Sequence, residues 1–385
     1  MSMTKKTIHL VAAARPNFMK VAPLYHRLCG EDWCAPILVH TGQHYDPEMS
    51  DVFFRDLALP KPDFHLGIGG GSHAEQAGKV MIAYEALLDR GAPDLVTVVG
   101  DVNATLACAL AAKKLNLRVA HVEAGLRSRD RSMPEEINRV VTDAICDLHL
   151  TPSPDADDNL RAEGVPDSCI HRVGNIMIDS LVTIAPVVRR RPHPFPQLAG
   201  KDYAVVTFHR PSNVDGPDQL RQLVTGLCAL GKTMPVIFPI HPRTRQRLES
   251  VALLGQLTAA EGLILSEPLG YADFMRCILD AALVVTDSGG LQEETTYLGI
   301  PCLTVRSTTE RPITVTQGTN RLIGLGDIAT AGNMMGRREK HVPPALWDGK
   351  TAERIAVVLR DYFAAGAPMR QGVNHKNVES VGGGY

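Results

Sequence analysis

Short, continuous apolar segments recur along the chain and restrict most strongly how it can fold. In the first half they are TIHLVAAA, PILVHTG, DLVTVVGD, LRVAHVEAG and LHLTPS, and in the second half YAVVTFHR, MPVIFPIHP, LILSEPL, LVVTDSGG and PCLTVR. Continuous rather than alternating apolar runs indicate strands covered on both faces, so each set predicts a parallel sheet with helices between its strands. The predicted fold is therefore α/β, with two Rossmann-like, doubly wound domains facing a central cleft.

The length of the chain and a basic, proline-bearing stretch predict its domain organisation. A chain of 385 residues exceeds what one core usually supports. We place an N-terminal domain at residues 1–175, a linker at 176–200 and a C-terminal domain at 201–350. A helix at 351–366 is expected to pack back on the N-terminal domain, and the polar, Gly-rich residues 367–385 are expected to be poorly ordered.

The composition is that of a globular protein without a bias toward polyanions or bilayers. The chain is 44% hydrophobic and 21% charged, with a formal net charge of −2, so nucleic acid is not expected as a partner. No apolar stretch approaches the roughly 20 residues of a membrane span. The first residues resemble a strand rather than a signal peptide, and we expect a cytoplasmic protein. The eight cysteines form no C-x-x-C pair, so no metal site is expected.

Polar side chains follow the predicted strands at their carboxyl ends, where open parallel sheets bind ligands. In the first half these residues are Arg15, Gln43, His44, Asp101 and Glu123, and in the second half His209, His241, Glu267 and Ser288. With both sets of strand ends facing one cleft, the ligand is expected to lie between the domains.

The segment TDSGGLQEETTYLG contains the strongest phosphate signal. Ser288, Gly289 and Gly290 form a tight turn whose N–H groups face out at the start of a helix, where the helix dipole also favours an anion. The alternative is an ordinary N-cap with acidic residues in the first turn. Arg311 and Arg321 follow in the next loop region and favour a diphosphate site, because arginine can bind phosphate through paired hydrogen bonds.

Three carboxylates, Asp101, Glu123 and Glu135, come at strand ends or in the loops after them. Together they could supply a base on either face of a substrate, and burial with mutual repulsion would raise some of their pKa values toward neutrality. Structural alternatives exist for each. Asp101 could cap a helix, and Glu123 and Glu135 could pair with the arginines four residues after them.

Two histidines and two aromatic side chains follow strands of the second half. A single histidine at a strand end is more often structural, but His209 and His241 in one predicted cleft favour a role in a site. Tyr271 and Phe274 could border a uracil base, or face the core from a helix.

With these motifs in place, the chain resembles the non-hydrolysing UDP-N-acetylglucosamine 2-epimerases from about Thr7 to Leu359. The resemblance rests on ten ordered motifs: RPNFMKVAPL, TGQHYD, VVGDVNATLA, HVEAGLRS, MPEEINR, VGN, HRPSN, HPRT, TDSGGLQEE and TTERPITVTQGTNRLIG. It implies a glycosyltransferase-B type fold, a homodimer, UDP bound mainly by the C-terminal domain and no cofactor such as NAD. It also implies that UDP-N-acetylglucosamine and UDP-N-acetylmannosamine interconvert through 2-acetamidoglucal.

The resemblance implies a role for each matching position. The implied catalytic residues are Asp101, Glu123, Glu135 and His209. The implied diphosphate ligands are Arg15, Lys20, Ser288, Gly289, Gly290 and Arg311. The remaining implied substrate contacts are Glu294 to the ribose, Phe274 beside the uracil, and Gln43 and His241.

Departures from the family pattern leave alternatives open. Pro211 and Ser212 replace Arg and Glu of the common HRREN motif, Asp46 stands where some relatives have Gln, and the segment near Gly69 lacks their Arg. Because such positions help bind an activating second substrate in those relatives, we predict weak or no activation. The alternative functions are a hydrolysing epimerase, an epimerase of a UDP-diacetamido-uronic acid, a UDP-sugar glycosyltransferase on the same fold and a non-catalytic sensor.

Overall fold

Two parallel sheets organise the protein in a computed structural model, which describes residues 5–13, 15–42, 57–334 and 341–365. The strands of the first sheet are β1 (Lys6–Ala12), β2 (Cys34–His40), β3 (Phe64–His65), β4 (Leu95–Val99), β5 (Val119–Val122), β6 (Leu148–Thr151) and β7 (Ile170–Arg172). Those of the second are β8 (Ala204–Thr207), β9 (Val236–Pro239), β10 (Leu263–Ser266), β11 (Leu283–Thr286), β12 (Cys302–Val305) and β13 (Asn320–Ile323).

Helices connect the strands. In the first half they are α1 (Arg15–Cys29), α2 (His73–Arg90), α3 (Asn103–Lys114), α4 (Pro134–Ile145), α5 (Pro154–Ala162) and α6 (Ile176–Arg189). In the second half they are α7 (Pro211–Val214), α8 (Pro217–Gly231), α9 (Pro242–Ser250), α10 (Leu254–Thr258), α11 (Tyr271–Asp280), α12 (Gly289–Leu298), α13 (Ile313–Thr316) and α14 (Thr351–Ala364). Within the described ranges, no helix is both long and apolar enough to cross a bilayer.

The strand orders confirm the predicted α/β fold. The first sheet has the order β3-β2-β1-β4-β5-β6-β7 and the second the order β10-β9-β8-β11-β12-β13. In each sheet the chain adds strands first on one side of its first strand and then on the other side. Helices α1 and α14 cover one face of the first sheet, and α2 and α3 cover the other. Helix α8 and the pair α6 and α11 do the same for the second sheet. Burial on both faces explains why the strands have continuous apolar sequences.

Helices α6 and α14 lie where the two halves meet. Helix α6, within the predicted linker, packs against α1 of the first half and against α11 and α12 of the second. The Asp179 carboxylate accepts the backbone N–H groups of Thr351 (3.0 Å) and Ala352 (2.7 Å), which fixes the start of α14 on α6. The domain bounds themselves stay a prediction, and residues 367–385 lie outside the described residues.

Gly174 allows the segment before α14 to pass close to the first sheet. Its φ of +96° lies in the left-handed region, and a Cβ at this position would lie 2.2 Å from the carbonyl oxygen of Leu346. Nearby, the Trp347 indole N–H donates to the Pro152 carbonyl at 3.1 Å. The close backbone approach therefore requires a glycine at this point of the VGN motif.

Replacing Gly174 with Ala should destabilise the protein more than the same change at Gly164. Gly164 has a similar φ of +87° but open space around a built Cβ, so Gly164→Ala isolates the backbone strain, about 1 kcal/mol. Gly174→Ala adds the clash with Leu346 and should cost about 2 kcal/mol more. Urea unfolding of both variants measures the difference, and equal losses would contradict this account of Gly174.

Candidate active site

The ends of β4 and β5 meet the N-terminal turns of α1. The Asn17 amide donates to the carbonyl of Val99 at 3.0 Å, and the Lys20 ammonium donates to the Glu123 carboxylate. Between them lies Gly100, with a φ of +68° and a built Cβ only 3.2 Å from Lys20 Nζ and 3.4 Å from Glu123 Oε2. The turn after β4 therefore has no room for a side chain, which brings Asp101, the next residue, to the edge of the sheet.

Arg311 joins the two halves through buried charges. Its Nη2 lies 4.0 Å from Glu123 of the first half, and its Nε lies 2.8 Å from Glu293 of the second. Its Nη1 pairs with Glu310, whose other oxygen lies 2.8 Å from Arg306. Since buried charges are stable only when paired, this alternation of cations and carboxylates allows the halves to meet.

Burial and pairing shift the pKa values in this cluster in opposite directions. Burial raises the pKa of Glu293, with Glu123 adding to the rise and Arg311 opposing it. The pKa of Glu310 falls well below its usual range, because Arg311 and Arg306 outweigh the effect of burial. The pKa of Arg311 rises despite burial, because Glu293, Glu310 and Glu123 surround it, so the guanidinium stays charged.

Several buried polar atoms of this cluster have no hydrogen-bond partner among the described residues. They include Oε1 of Glu123, Oε2 of Glu293 and Nη1 of Arg306. Buried polar atoms are nearly always hydrogen-bonded in folded proteins. Acceptors and a donor left unsatisfied at one place indicate a polar ligand site.

Asp101 binds Arg139 instead of capping a helix. The N-cap of α3 is Val102, without a side-chain cap, while the Asp101 carboxylate pairs with the Arg139 guanidinium. Arg139 also bonds Glu136 at 2.7 Å. Asn138 donates to the backbone carbonyl of Asp101 at 2.9 Å, so α4 holds this turn at two points.

Neither of the alternative local ion pairs forms. Arg127 pairs with Asp143 (2.8 Å) and Glu163 (2.6 Å), not with Glu123. Glu135 has no ion pair in the part of the chain that the structure describes; it lies in the first turn of α4 and faces a cavity. Both carboxylates are thus positioned for something other than a neighbouring arginine on their own segment.

A cavity of about 620 Å³ lies between the two halves. Its lining comes from the loop before α4 and the start of α4 on one side, and from strand ends of the second sheet on the other. The lining residues include Met133, Glu135, His209, Arg210, Pro211, His241, Arg243 and Arg306.

A buried carboxylate orients His209 at the edge of this cavity. Asp287 Oδ1 lies 2.9 Å from His209 Nδ1, and its Oδ2 accepts the backbone N–H groups of His209 (3.0 Å) and Arg210 (2.9 Å). Burial opposes ionisation of Asp287, but His209 and the backbone donors lower its pKa. The His209 ring remains 44% exposed and lies 5.9 Å from the His241 ring, centroid to centroid. A ring held in this way can bind or protonate a ligand through Nε2.

A second cavity, of about 380 Å³, shares His209 and His241 with the first. Tyr271, Phe274 and Glu294 line it, over an apolar floor. The Tyr271 hydroxyl donates to Glu294 Oε1 at 2.9 Å. Burial raises the pKa of Glu294 to about 7, although the bond from Tyr271 opposes the rise. Tyr271 and Phe274 also pack on the core, so both interpretations of these aromatic residues apply.

Helix α12 begins between this cavity and the charge cluster. It starts at Gly289, and Ser288 makes no side-chain cap. Glu293 and Glu294 lie beyond the first turn, so they are not the dipole-complementing residues of an ordinary N-cap. A Cβ on Gly289 would lie 2.7 Å from Glu310 Oε1, whereas Gly290 has open space.

The structure brings together most of the predicted site residues. Around the two cavities and the charge cluster lie Lys20, Asp101, Glu123, Glu135, His209, His241, Phe274, Ser288, Gly289, Gly290, Glu294 and Arg311. Gln43 lies outside the described residues, and so does the side chain of Arg15, which begins α1. Arg321 lies in β13 and is exposed. The roles of all these residues stay predictions.

Sequence reasoning missed several residues of this region. Asp287 directly follows β11 and could have been found by the same strand-end rule that identified His209. Arg306 and Glu310 follow β12 in the loop that also holds Arg311. The amide of Asn175 donates to Glu293 at 2.9 Å. The sequence could not indicate this contact, because the two residues lie 118 positions apart.

Comparisons with known proteins agree with one another. The family model described as UDP-N-acetylglucosamine 2-epimerase matches residues 27–360. The UDP-N-acetylglucosamine 2-epimerase of Methanocaldococcus jannaschii is 39% identical, over 91% of this chain and 98% of its own. Its crystal structure with UDP-GlcNAc and UDP has a TM-score of 0.84 at 38% identity, covering 92% of this chain and 99% of that one. The UDP-2,3-diacetamido-2,3-dideoxy-D-glucuronate 2-epimerase of Pseudomonas aeruginosa is 36% identical, with the same coverage as the first relative.

Replacing Glu294 with Gln should change how stability depends on pH. A carboxyl whose pKa rises to about 7 from 4.5 binds more protons when folded than when unfolded, so stability falls as the pH rises between these values. The amide does not titrate. The difference in free energy of unfolding, Glu294→Gln minus wild type, should therefore increase by about 2 to 3 kcal/mol from pH 4.5 to pH 7.5.

Urea unfolding across this pH range measures the difference. The exposed Glu249 on α9 offers a matched control, Glu249→Gln, whose difference from the wild type should stay flat. A flat difference for Glu294→Gln as well would contradict the raised pKa.

Proposed function

The chain belongs to the UDP-N-acetylglucosamine 2-epimerase family, and from this premise we propose that it interconverts UDP-N-acetylglucosamine and UDP-N-acetylmannosamine without hydrolysing either. The observation that carries the proposal is the pair of cavities that share His209 and His241. One offers aromatic rings and a carboxylate to a nucleoside, and the other places Glu135 and cations around a sugar. A nucleotide-sugar would occupy both, with its diphosphate between them.

The smaller cavity suits uridine. Phe274 and Tyr271 provide aromatic surface for the base, and Glu294 lies buried beside them. Since Glu294 Oε1 accepts the Tyr271 hydroxyl, Oε2 is left to accept a ribose hydroxyl. We assign Glu294 to the ribose and Phe274 to the border of the uracil.

The start of α12 and the cations around it suit the diphosphate. The backbone N–H groups of Gly289 and Gly290 and the helix dipole favour an anion at this point. The Ser288 N–H donates to the Thr286 hydroxyl at 2.9 Å, so we assign Ser288 to the phosphate through its own hydroxyl. Arg311 lies against Gly289 and stays cationic, and Lys20 lies at the Glu123 end of the same charge cluster. Arg15, in the first turn of α1, is assigned to the diphosphate from the family resemblance alone, as is Gln43 to the substrate.

The proposed reaction needs acid–base groups on two faces of the sugar. The C2 proton is barely acidic, so a base removes it while the C1–O bond breaks and UDP departs with the electron pair of that bond. The C2–H electrons form the C1–C2 double bond of 2-acetamidoglucal. UDP then adds back at C1 while an acid protonates C2 from the opposite face. Cations around the diphosphate stabilise the departing UDP.

We assign this acid–base work to Asp101, Glu123, Glu135 and His209. Glu123 is the most deeply buried of the three carboxylates, Asp101 is tied to Arg139, and Glu135 lines the larger cavity. His209, oriented by Asp287, lies at the junction of the two cavities and can donate a proton to the departing diphosphate oxygen and take it back when UDP returns.

The Pseudomonas aeruginosa relative favours a second candidate, an epimerase of a UDP-diacetamido-uronic acid. The uronate carboxylate would need a cation in the larger cavity. Such cations are present, because Arg210 and Arg306 line this cavity, while Arg243 is paired with Asp215 at 2.6 Å. We place UDP-N-acetylglucosamine first because the matching family model and the more similar Methanocaldococcus jannaschii relative are both named for it, and a direct comparison of kcat/KM for the two substrates separates the candidates.

Proton NMR of UDP-N-acetylglucosamine incubated with the protein in D2O tests the reaction. We expect deuterium at C2 together with the manno epimer, because the proton is lost to solvent and returned from the other face. Free N-acetylmannosamine would indicate a hydrolysing enzyme, and no exchange would refute the proposed function.

Replacing Asp101, Glu123 or Glu135 with its amide should reduce C2 exchange by about 10² to 10⁴-fold, the usual contribution of one acid–base group. UDP should still bind, because residues of the other half form most of the nucleoside cavity, to which the first half contributes Met19. Exchange rates by NMR and UDP affinity by calorimetry provide the two measurements, with Glu249→Gln as the control. Full exchange in any amide variant would remove that residue from the catalytic set.

Assembly and activation remain proposals from the family resemblance. We propose a homodimer, in which a partner could cover the exposed apolar side chains Ile82, Ile137 and Val141 on helices of the first half. We also propose that Pro211 and Ser212, which line the larger cavity, leave no formed second substrate site. Initial rates should then depend hyperbolically on UDP-N-acetylglucosamine. A strongly sigmoidal dependence would count against the absence of a second site. The decisive observation would be that trace UDP-N-acetylglucosamine makes the rates hyperbolic when UDP-N-acetylmannosamine is the substrate.

A further inference from the structure

His121 and Asp143 form a fully buried pair directly behind the proposed carboxylates. His121 Nδ1 lies 2.6 Å from Asp143 Oδ1, and His121 Nε2 lies 2.8 Å from the carbonyl oxygen of Gly100. The other oxygen of Asp143 accepts the backbone N–H of Gly125 at 2.9 Å and lies 2.8 Å from Arg127 Nη1. None of these side chains is needed to contact a substrate in the proposed function.

The hydrogen-bond partners determine which ring nitrogen of His121 donates to Gly100. A backbone carbonyl can only accept, so Nε2 must carry a proton. On the other side of the ring, Nδ1 lies 2.6 Å from Asp143 Oδ1, and this contact fixes the orientation of the ring. Asp143 itself is held in place by Arg127 and by the Gly125 N–H.

The pair joins the three segments that hold the proposed acid–base carboxylates. Gly100, whose carbonyl binds His121, directly precedes Asp101. His121 itself lies two residues before Glu123, whose φ of +69° is unusual for a residue with a side chain. Asp143 lies on α4, the helix that begins with Glu135 and that binds Asp101 through Asn138 and Arg139.

We propose that His121 is a positioning residue: its ring, held by Asp143, donates the Nε2–H to the Gly100 carbonyl and so sets the spacing of Asp101, Glu123 and Glu135. This inference rests on the proposed function. Displacements of about 1 Å in a catalytic group can cost about 10²-fold in rate, so a donor that fixes one turn against the next strand is sufficient to matter.

The test uses His121→Phe in the full-length protein. Phenylalanine keeps a ring at this position but cannot donate to the Gly100 carbonyl, so the turn before Asp101 loses its hydrogen bond to β5. The C2 exchange rate should therefore fall by about tenfold or more. His121→Gln, whose amide can donate to the same carbonyl, should recover part of this loss.

His9→Phe is the matched control. His9 is also a buried histidine on a strand of the first sheet, and its Nδ1 lies 3.1 Å from the Tyr84 hydroxyl, away from the three segments. Its variant should keep the C2 exchange rate of the wild type. UDP affinity should stay within about twofold in both variants, because residues of the other half form most of the nucleoside cavity, so the loss in His121→Phe appears in kcat.

A spectroscopic measurement detects the hydrogen bond without catalysis. In wild-type protein labelled with ¹⁵N-histidine, Nε2 of His121 should carry a proton, assigned by comparison with His121→Gln. An Nε2 without a proton would overturn the inference even if His121→Phe fails to fold. Wild-type exchange in His121→Phe would also overturn it, and so would equal losses in His121→Phe and His121→Gln, which would leave only a structural role. Absence of C2 exchange in the wild type would instead refute the proposed function, and the positioning role with it.

Discussion

The buried guanidinium of Arg311 is the interaction on which the closed arrangement of the two halves depends. It lies among Glu293 and Glu310 of its own half and Glu123 of the other. Removing one partner of a buried ion pair commonly costs about 3 to 5 kcal/mol, because it leaves a charge without compensation. The cluster therefore contributes to the interface between the halves, and the same residues form the proposed diphosphate site.

Charge balance also restricts how an anion could enter. Lys20, Arg306 and Arg311 face Glu123, Glu293 and Glu310, so three cations balance three carboxylates. A diphosphate would add negative charge to a neutral cluster unless some carboxylate turned away or took up a proton. Glu293, whose pKa burial raises, is the member nearest to doing so. Binding at this site is thus an exchange of anions around fixed cations rather than the filling of a positive pocket.

The fold and the location of the site could be predicted from the sequence, but the ion pairs could not. Continuous apolar runs predict covered parallel strands, and strand-end polar residues such as Asp101, Glu123 and His209 indicate the cleft. The alternative ion pairs of Glu123 and Glu135 with the arginines four residues after them do not form. Instead the topology brings Lys20 to Glu123 across 103 residues and Arg139 to Asp101 across 38. Partners of a buried charge depend on which strand ends become neighbours, and a single sequence does not contain that order.

Gly289 illustrates how a glycine that the sequence assigns to ligand binding can also have a structural cause. The sequence pattern predicts glycine there so that a phosphate can approach the backbone of α12. In the structure the space beside its Cα is filled by the carboxylate of Glu310 and the guanidinium of Arg311, both within 3 Å of a built Cβ. Glycine is thus required by the protein's own ion pair, while Gly290, which has open space, remains available to a ligand. The two glycines of one motif therefore have different tasks: the first positions the arginine, and the second leaves the helix N-terminus accessible to the anion that this arginine would bind.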